Sequence, residues 1–207
     1  MRRNLTRPWL LLGAALLVGV LLAGVAMAQT SANQFKMVRS QSATALGNKC
    51  LKGASADVKV TDAGQGNQNL DVTLNNAAKN TAFTVFVIQQ PNSPFGVSWY
   101  QGDIETDNQG YGKGRFVGIF NDEVFAIALP PGVKAPQVDN KDAKKNPAFD
   151  PVHTFHLGVW FADPKEAKAA GCSPKGLTVT PFDGDHEAGI QALSTRNFRA
   201  LKGPLGP

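Results

Sequence analysis

The chain has 207 residues, 43% hydrophobic and 18% charged, which suits one cored domain and is too apolar for a disordered one. Its formal net charge is +5, but Arg2, Arg3 and Arg7 stand in a 28-residue leader without acidic residues, leaving 18 basic against 16 acidic groups in the rest. That near balance excludes a nucleic-acid surface built on charge, since no run of Lys and Arg interleaved with aromatics exists and Asp142 interrupts the densest basic cluster, Lys141 to Lys145.

Residues 1–28 read as a secretory signal. The three arginines form a positive start, Trp9 to Val25 is apolar apart from glycines, and Ala26-Met27-Ala28 places small residues where a signal peptidase reads them, with cleavage between Ala28 and Gln29. An uncleaved anchor is the alternative, because Trp9 to Ala28 is about as long as the ~20 apolar residues that cross a bilayer. Either way the arginines hold the N-terminus in the cytoplasm and the remaining chain is exported. Membrane contact is expected only through this segment, if it is retained.

Residues 29–49 are polar without a clear period and are expected to form a flexible lead, with the domain proper over 50–207. The two cysteines, Cys50 and Cys172, then sit near the two ends of that domain. In an oxidising compartment they are expected to pair, a link worth up to ~4–5 kcal/mol in the chain-entropy account.

Asp57 to Thr61 and Leu70 to Leu74 alternate with period two and predict half-buried strands around the turn 63–67. Thr81 to Gln89 is apolar on both parities and predicts a central strand. Val97 to Thr106 and Gly112 to Phe120 predict a hairpin about Asp107-Asn108-Gln109-Gly110, and Glu123 to Leu129 a further strand. Lys134 to Pro151 reads as a long surface loop. Beyond it, Phe155 to Phe161 is a strand covered on both faces, Pro164 to Ala170 one short helix, and Leu177 to Thr180 and Ile190 to Leu193 the last strands. The fold class expected is all-β, an antiparallel two-sheet sandwich.

The run Leu70-x-Val72-x-Leu74-Asn75-Asn76, followed by Asn80-Thr81-x-Phe83-Thr84-Val85-Phe86-Val87, resembles the strand, turn and strand of fibronectin type III and related immunoglobulin-like domains. The resemblance implies an immunoglobulin-like sandwich and transfers no functional residue. Phe83 stands where such domains carry a tyrosine, so the hydrogen bond of the tyrosine corner has no donor at that position.

Chemistry-bearing residues are few. His153 and His156 lie three apart on a predicted strand, where side chains three apart point to opposite faces and do not share an ion. Asp183, Asp185 and Glu187, with His186, form an acidic turn whose carboxylates suit a hard cation but lack the spacing of a calcium loop. Asp103, Glu105 and Asp107 share one strand face, again without calcium-loop spacing. Trp99, Tyr100 and Tyr111, with Phe95 among prolines, glycines and amides, are the candidate ligand platform, since aromatic faces beside amides suit sugars and peptides. Trp99 and Tyr100 are adjacent, so one is expected to point in and the other out.

The reading is a secreted or cell-surface, non-catalytic module with a binding or envelope-structural role, no cofactor, and a glycan, cell-wall or protein ligand. An extracellular glycan hydrolase using carboxylates assembled in space, or a cation-dependent binding protein using Asp183, Asp185 and Glu187, are its alternatives.

Overall fold

Alternation of apolar and polar residues sets the inner face of the sheet strand by strand. The computed structural model describes residues 33–126, 141–142, 144, 151–174 and 187–206. Its strands are β1 (Asn33–Arg39), β2 (Ser55–Gly64), β3 (Asn67–Asn75), β4 (Ala82–Ile88), β5 (Ser98–Glu105) and β6 (Gly112–Gly118). Two-residue strands β7 (Phe125–Ala126) and β8 (Val152–His153) pair with each other, and β9 (His156–Phe161) and β10 (Gln191–Ser194) follow.

Eight strands form one antiparallel ladder in the order β5-β4-β9-β10-β1-β2-β3-β6. The two end strands, β5 and β6, are consecutive in the chain, and the bridge between Thr106 and Gly112 joins them at their hairpin end. The sheet thus curls until its edges meet at one corner, which makes it nearly barrel-like. The all-β antiparallel class expected from the sequence is present. The large ladder is continuous, and among the described residues the second sheet is the β7–β8 pair. Continuity depends on a short joint, because β10 meets β1 through two residue pairs, Val38 with Ser194 and Arg39 with Leu193.

β1 corrects the expectation of a flexible lead over 29–49. From Asn33 onward this segment pairs with β2 along six positions and buries Phe35 and Met37. Two inward apolar residues are too few for a local signal, and pairing on both flanks specifies the strand instead. Ser40 then caps α1 (Gln41–Ala45), its hydroxyl accepting the Ala43 amide at 2.9 Å, so among the described residues there are two short α-helices rather than one. The expected helix is α2 (Pro164–Ala169), started by Pro164 and by the Asp163 carboxylate accepting the Lys165 amide.

Inside the curl lie Phe83, Val85 and Val87 of β4, Leu157, Val159 and Phe161 of β9, and Leu70, Val72 and Leu74 of β3. Phe83 and Phe161 meet ring to ring at 4.9 Å. The outward side of β4 and β9 is covered too, as their two-parity apolar pattern requires. There Phe86, Ile88, Trp160 and Ala188 form a second cluster, with Phe95 folded onto Trp160 at 5.0 Å. Gly158 makes room for that indole, since a Cβ there would stand 2.2 Å from the Trp160 ring.

Cys50 and Cys172 are joined in a disulfide, both fully buried, with their Cα atoms 4.7 Å apart. It fastens the chain just before β2 to the chain just after α2. No helix among the described residues is long and apolar enough to cross a membrane. The expected leader 1–28, the expected strand at 177–180 and most of the expected loop 134–151 lie outside the described residues.

Candidate functional site

The three aromatic residues singled out in the sequence do not form one platform. Trp99 turns inward and packs against the main core, while Tyr100 turns outward, half exposed. Its ring meets Phe86 edge-on at 6.0 Å, and its hydroxyl donates to the Asp103 carboxylate at 3.0 Å. A register shift between the Phe86–Tyr100 and Val85–Gly102 pairs leaves Gln101 as the extra residue, so parity alone does not fix the facing of this strand. Tyr111 stands beside the Thr106–Gly112 bridge, six residues from Tyr100 along β5, or roughly 20 Å at strand rise. There its ring carries the Lys113 ammonium 5.4 Å from its centroid.

The charged candidates divide in the same way. Asp183 and Asp185 lie outside the described residues, and Glu187 is exposed. No group of three or more His, Cys, Asp and Glu side chains converges among the described residues. Asp107 organises a turn, accepting the Gln109 amide at 2.7 Å and the Tyr111 amide at 3.0 Å, and these amides hold its carboxyl below the ordinary carboxylate range, Tyr111 foremost. His153 stacks on Phe155 at 4.9 Å. His156 is fully buried elsewhere, its Nδ1 2.8 Å from the Thr195 hydroxyl and its Nε2 3.0 and 3.1 Å from the Arg199 and Ala200 carbonyls. Carbonyls only accept, so Nε2 carries the proton and donates, and burial pushes the imidazole below its ordinary pKa. This histidine pins the C-terminal segment across the end of the sheet.

A site that the sequence did not suggest lies beside the disulfide. One wall is the corner 76–81 between β3 and β4. The other is built from Leu51 and Lys52, directly after Cys50, and from Glu166, Ala169 and Ala170 of α2 and its C-cap. Together they enclose a groove of about 420 Å³, within the ~300–1,000 Å³ usual for small-molecule sites. Leu51 (φ 53°), Asn76 (φ 51°) and Asn80 (φ 48°) all line it, three of the four non-glycine residues with left-handed backbone among the described residues. Asparagine visits that region readily, but a leucine there is an outlier that surrounding structure must impose.

Both walls are braced. The Thr106 hydroxyl donates to the Ala78 carbonyl at 2.6 Å and accepts the Thr81 amide at 3.0 Å, so the corner 76–81 is held from the neighbouring hairpin. The Ala77 amide donates to the Gly110 carbonyl, and the Asn80 amide to that of Asp107. Gly110 is required at that contact, since it has φ 76° and a Cβ would fall 2.2 Å from the Ala77 oxygen. The opposite wall is tied by the Cys50–Cys172 bond and by the Cys172 amide donating to the Ala167 carbonyl at 2.8 Å.

The chain matches no protein-family model and no curated protein sequence. The groove's polar residues are Asn76, Asn80, Thr81, Lys52, Lys79 and Glu166, set among the small Ala77, Ala78, Ala169 and Ala170 of the two walls. Neither lysine makes an ion pair among the described residues, where Lys36 pairs with Asp57 and Arg115 with Asp71. These residues can bind and orient a polar ligand; they include no nucleophile paired with a base. The sequence signal for the site was the asparagine-rich turn Asn75-Asn76-Ala77-Ala78-Lys79-Asn80, which carries residues tolerant of left-handed backbone.

Proposed function

We propose that this chain is an exported, non-catalytic binding module whose ligand seat is the groove beside the disulfide. The observation that carries the reading is the convergence of three left-handed residues, one of them a leucine, on a groove whose two walls are separately braced. Rigid walls lower the ordering cost of binding, and backbone outliers cluster where a surface has been shaped for a ligand. The disulfide fits an oxidising compartment, and residues 1–28 supply the export signal.

The immunoglobulin-like sandwich belongs to the same proposal. The ladder divides into the arcs β5-β4-β9-β10 and β1-β2-β3-β6, joined by the two-pair β10–β1 contact and the single Thr106–Gly112 bridge. β3 and β4, successive in the chain, fall in opposite arcs, which supports reading the corner between them as the turn that crosses from one layer to the other.

A glycan and cell-wall polymer array, probed with the exported protein and with Ala169→Trp, tests the function. Ala169 is exposed at the groove's rim, so the indole obstructs the groove without entering the core. Retention of a ligand class by the parent and its loss in the variant is expected. Full retention by Ala169→Trp would place the binding surface elsewhere.

A further inference from the structure

We infer that the groove recognises an acidic sugar, a carboxylated saccharide of the uronic-acid kind; this rests on reading the groove as the ligand seat. Lys52 and Lys79 both line the groove, one from the segment after Cys50 and one from the corner 76–81, and neither makes an ion pair with a carboxylate among the described residues. A ligand anion placed between them gains two charge-assisted contacts. The remaining lining decides the rest of the ligand. The Asn76 and Asn80 carboxamides each present donors and an acceptor, a set matched to several hydroxyl groups on one ring. Ala77, Ala78, Ala169 and Ala170 provide the small apolar area against which the C–H face of a sugar lies.

Other ligand classes match less of this lining. Bare phosphate would leave the amides and alanines unused. A neutral sugar would leave both ammonium groups unused. An aromatic or hydrophobic ligand would find no aromatic ring in the lining. Two cationic groups against one anionic group leave the groove with a net positive charge, the sign an acidic sugar requires.

Calorimetric titration at low salt with trigalacturonate, neutral galactotriose and inorganic phosphate tests this, with thermal melts confirming that each variant is folded. Trigalacturonate is expected to bind at least about tenfold more tightly than galactotriose, and its affinity to fall with added salt. Lys52→Ala and Lys79→Ala should each weaken it by about fivefold or more, and Lys79→Arg should restore most of the loss. Equal affinity for the neutral trisaccharide, indifference to both lysine substitutions, phosphate competing as strongly as the sugar acid, or no saturation by trigalacturonate at millimolar concentration would each overturn the inference. Ala169→Trp separates the two readings. If a neutral sugar binds and Ala169→Trp abolishes it, the groove remains the seat and only the acidic-sugar inference fails; if a bound saccharide is indifferent to Ala169→Trp, the groove itself is not the seat.

Discussion

The Thr106 hydroxyl lies 2.6 Å from the Ala78 carbonyl, so a side chain at the end of β5 holds the corner that forms one wall of the groove. Removing that hydroxyl while keeping the shape, as in Thr106→Val, leaves the half-buried Ala78 carbonyl and the buried Thr81 amide without this partner. The expected cost is about 1–3 kcal/mol, a fall in melting temperature of roughly 2–4 °C per kcal/mol. Thr106→Ser should retain most of the stability. Calorimetric melts of the two variants against the parent check this, and equal melting for Thr106→Val would show that the corner holds without its brace.

Trp99 and Tyr100 are neighbours with opposite roles. Trp99→Ala opens a space beside the main core and should cost about 3 kcal/mol. Tyr100→Ala removes an exposed ring and one exposed hydrogen bond and should cost under about 1 kcal/mol. Denaturant unfolding measures both. Similar losses would contradict the inward and outward assignments.

His156 predicts an acid-side loss of stability. Burial lowers its folded-state pKa below the unfolded value, so the unfolded chain binds the proton more readily. The stabilisation is complete above the unfolded pKa of about 6.5 and declines as pH falls toward and through the folded value. The lowered pKa values of Asp71, held chiefly by its hydrogen bond from Arg115, and of Asp107, held chiefly by the Tyr111 amide, act in a separate and more acidic window. Their contributions are present above the ordinary carboxylate range and are lost as pH falls below it. Melting temperature should therefore decline between about pH 7 and 5, with the slope reduced in His156→Gln. A parent protein with a flat profile through that interval would refute the assignment.

Cys50 and Cys172 close a long loop, with a sequence separation of 122. Replacing both by alanine should cost up to about 4–5 kcal/mol, less if the unfolded chain stays compact. It should also loosen the wall that carries Leu51 and Lys52. Non-reducing peptide mapping of exported protein is expected to recover the two cysteine peptides joined, and free thiols at both positions would contradict this.

Export carries its own prediction. Protein recovered outside the cell should begin at Gln29 by intact mass. Retention of Met1 would refute cleavage and favour an N-terminal anchor.

Period-two alternation made β2 and β3 readable, and apolar character on both parities marked β4 and β9 as strands covered on both sides, because those patterns arise from the geometry of each strand alone. The proline and alanine-rich stretch after Asp163 identified α2 for the same local reason. β1 was not readable. Phe35 and Met37 are its only fully inward large residues, and what holds it is pairing with β2 and β10 on its two flanks. Which of Trp99 and Tyr100 faces the core was undecidable locally, since the extra residue Gln101 breaks the parity of β5.

Composition and pattern alone determined the β-rich class and the chance for two cysteines to meet, since each depends on local periodicity or a residue count. Only the tertiary structure decided the closure of the sheet and the site. The groove takes Leu51 and Lys52 from one part of the chain, residues 76–81 from a second, and Glu166, Ala169 and Ala170 from a third. Their proximity follows from the Cys50–Cys172 link and from a hydroxyl on a different strand reaching the corner. Such long-range contacts leave no periodic trace in sequence, because neither the spacing nor the character of one segment constrains which distant segment it will meet.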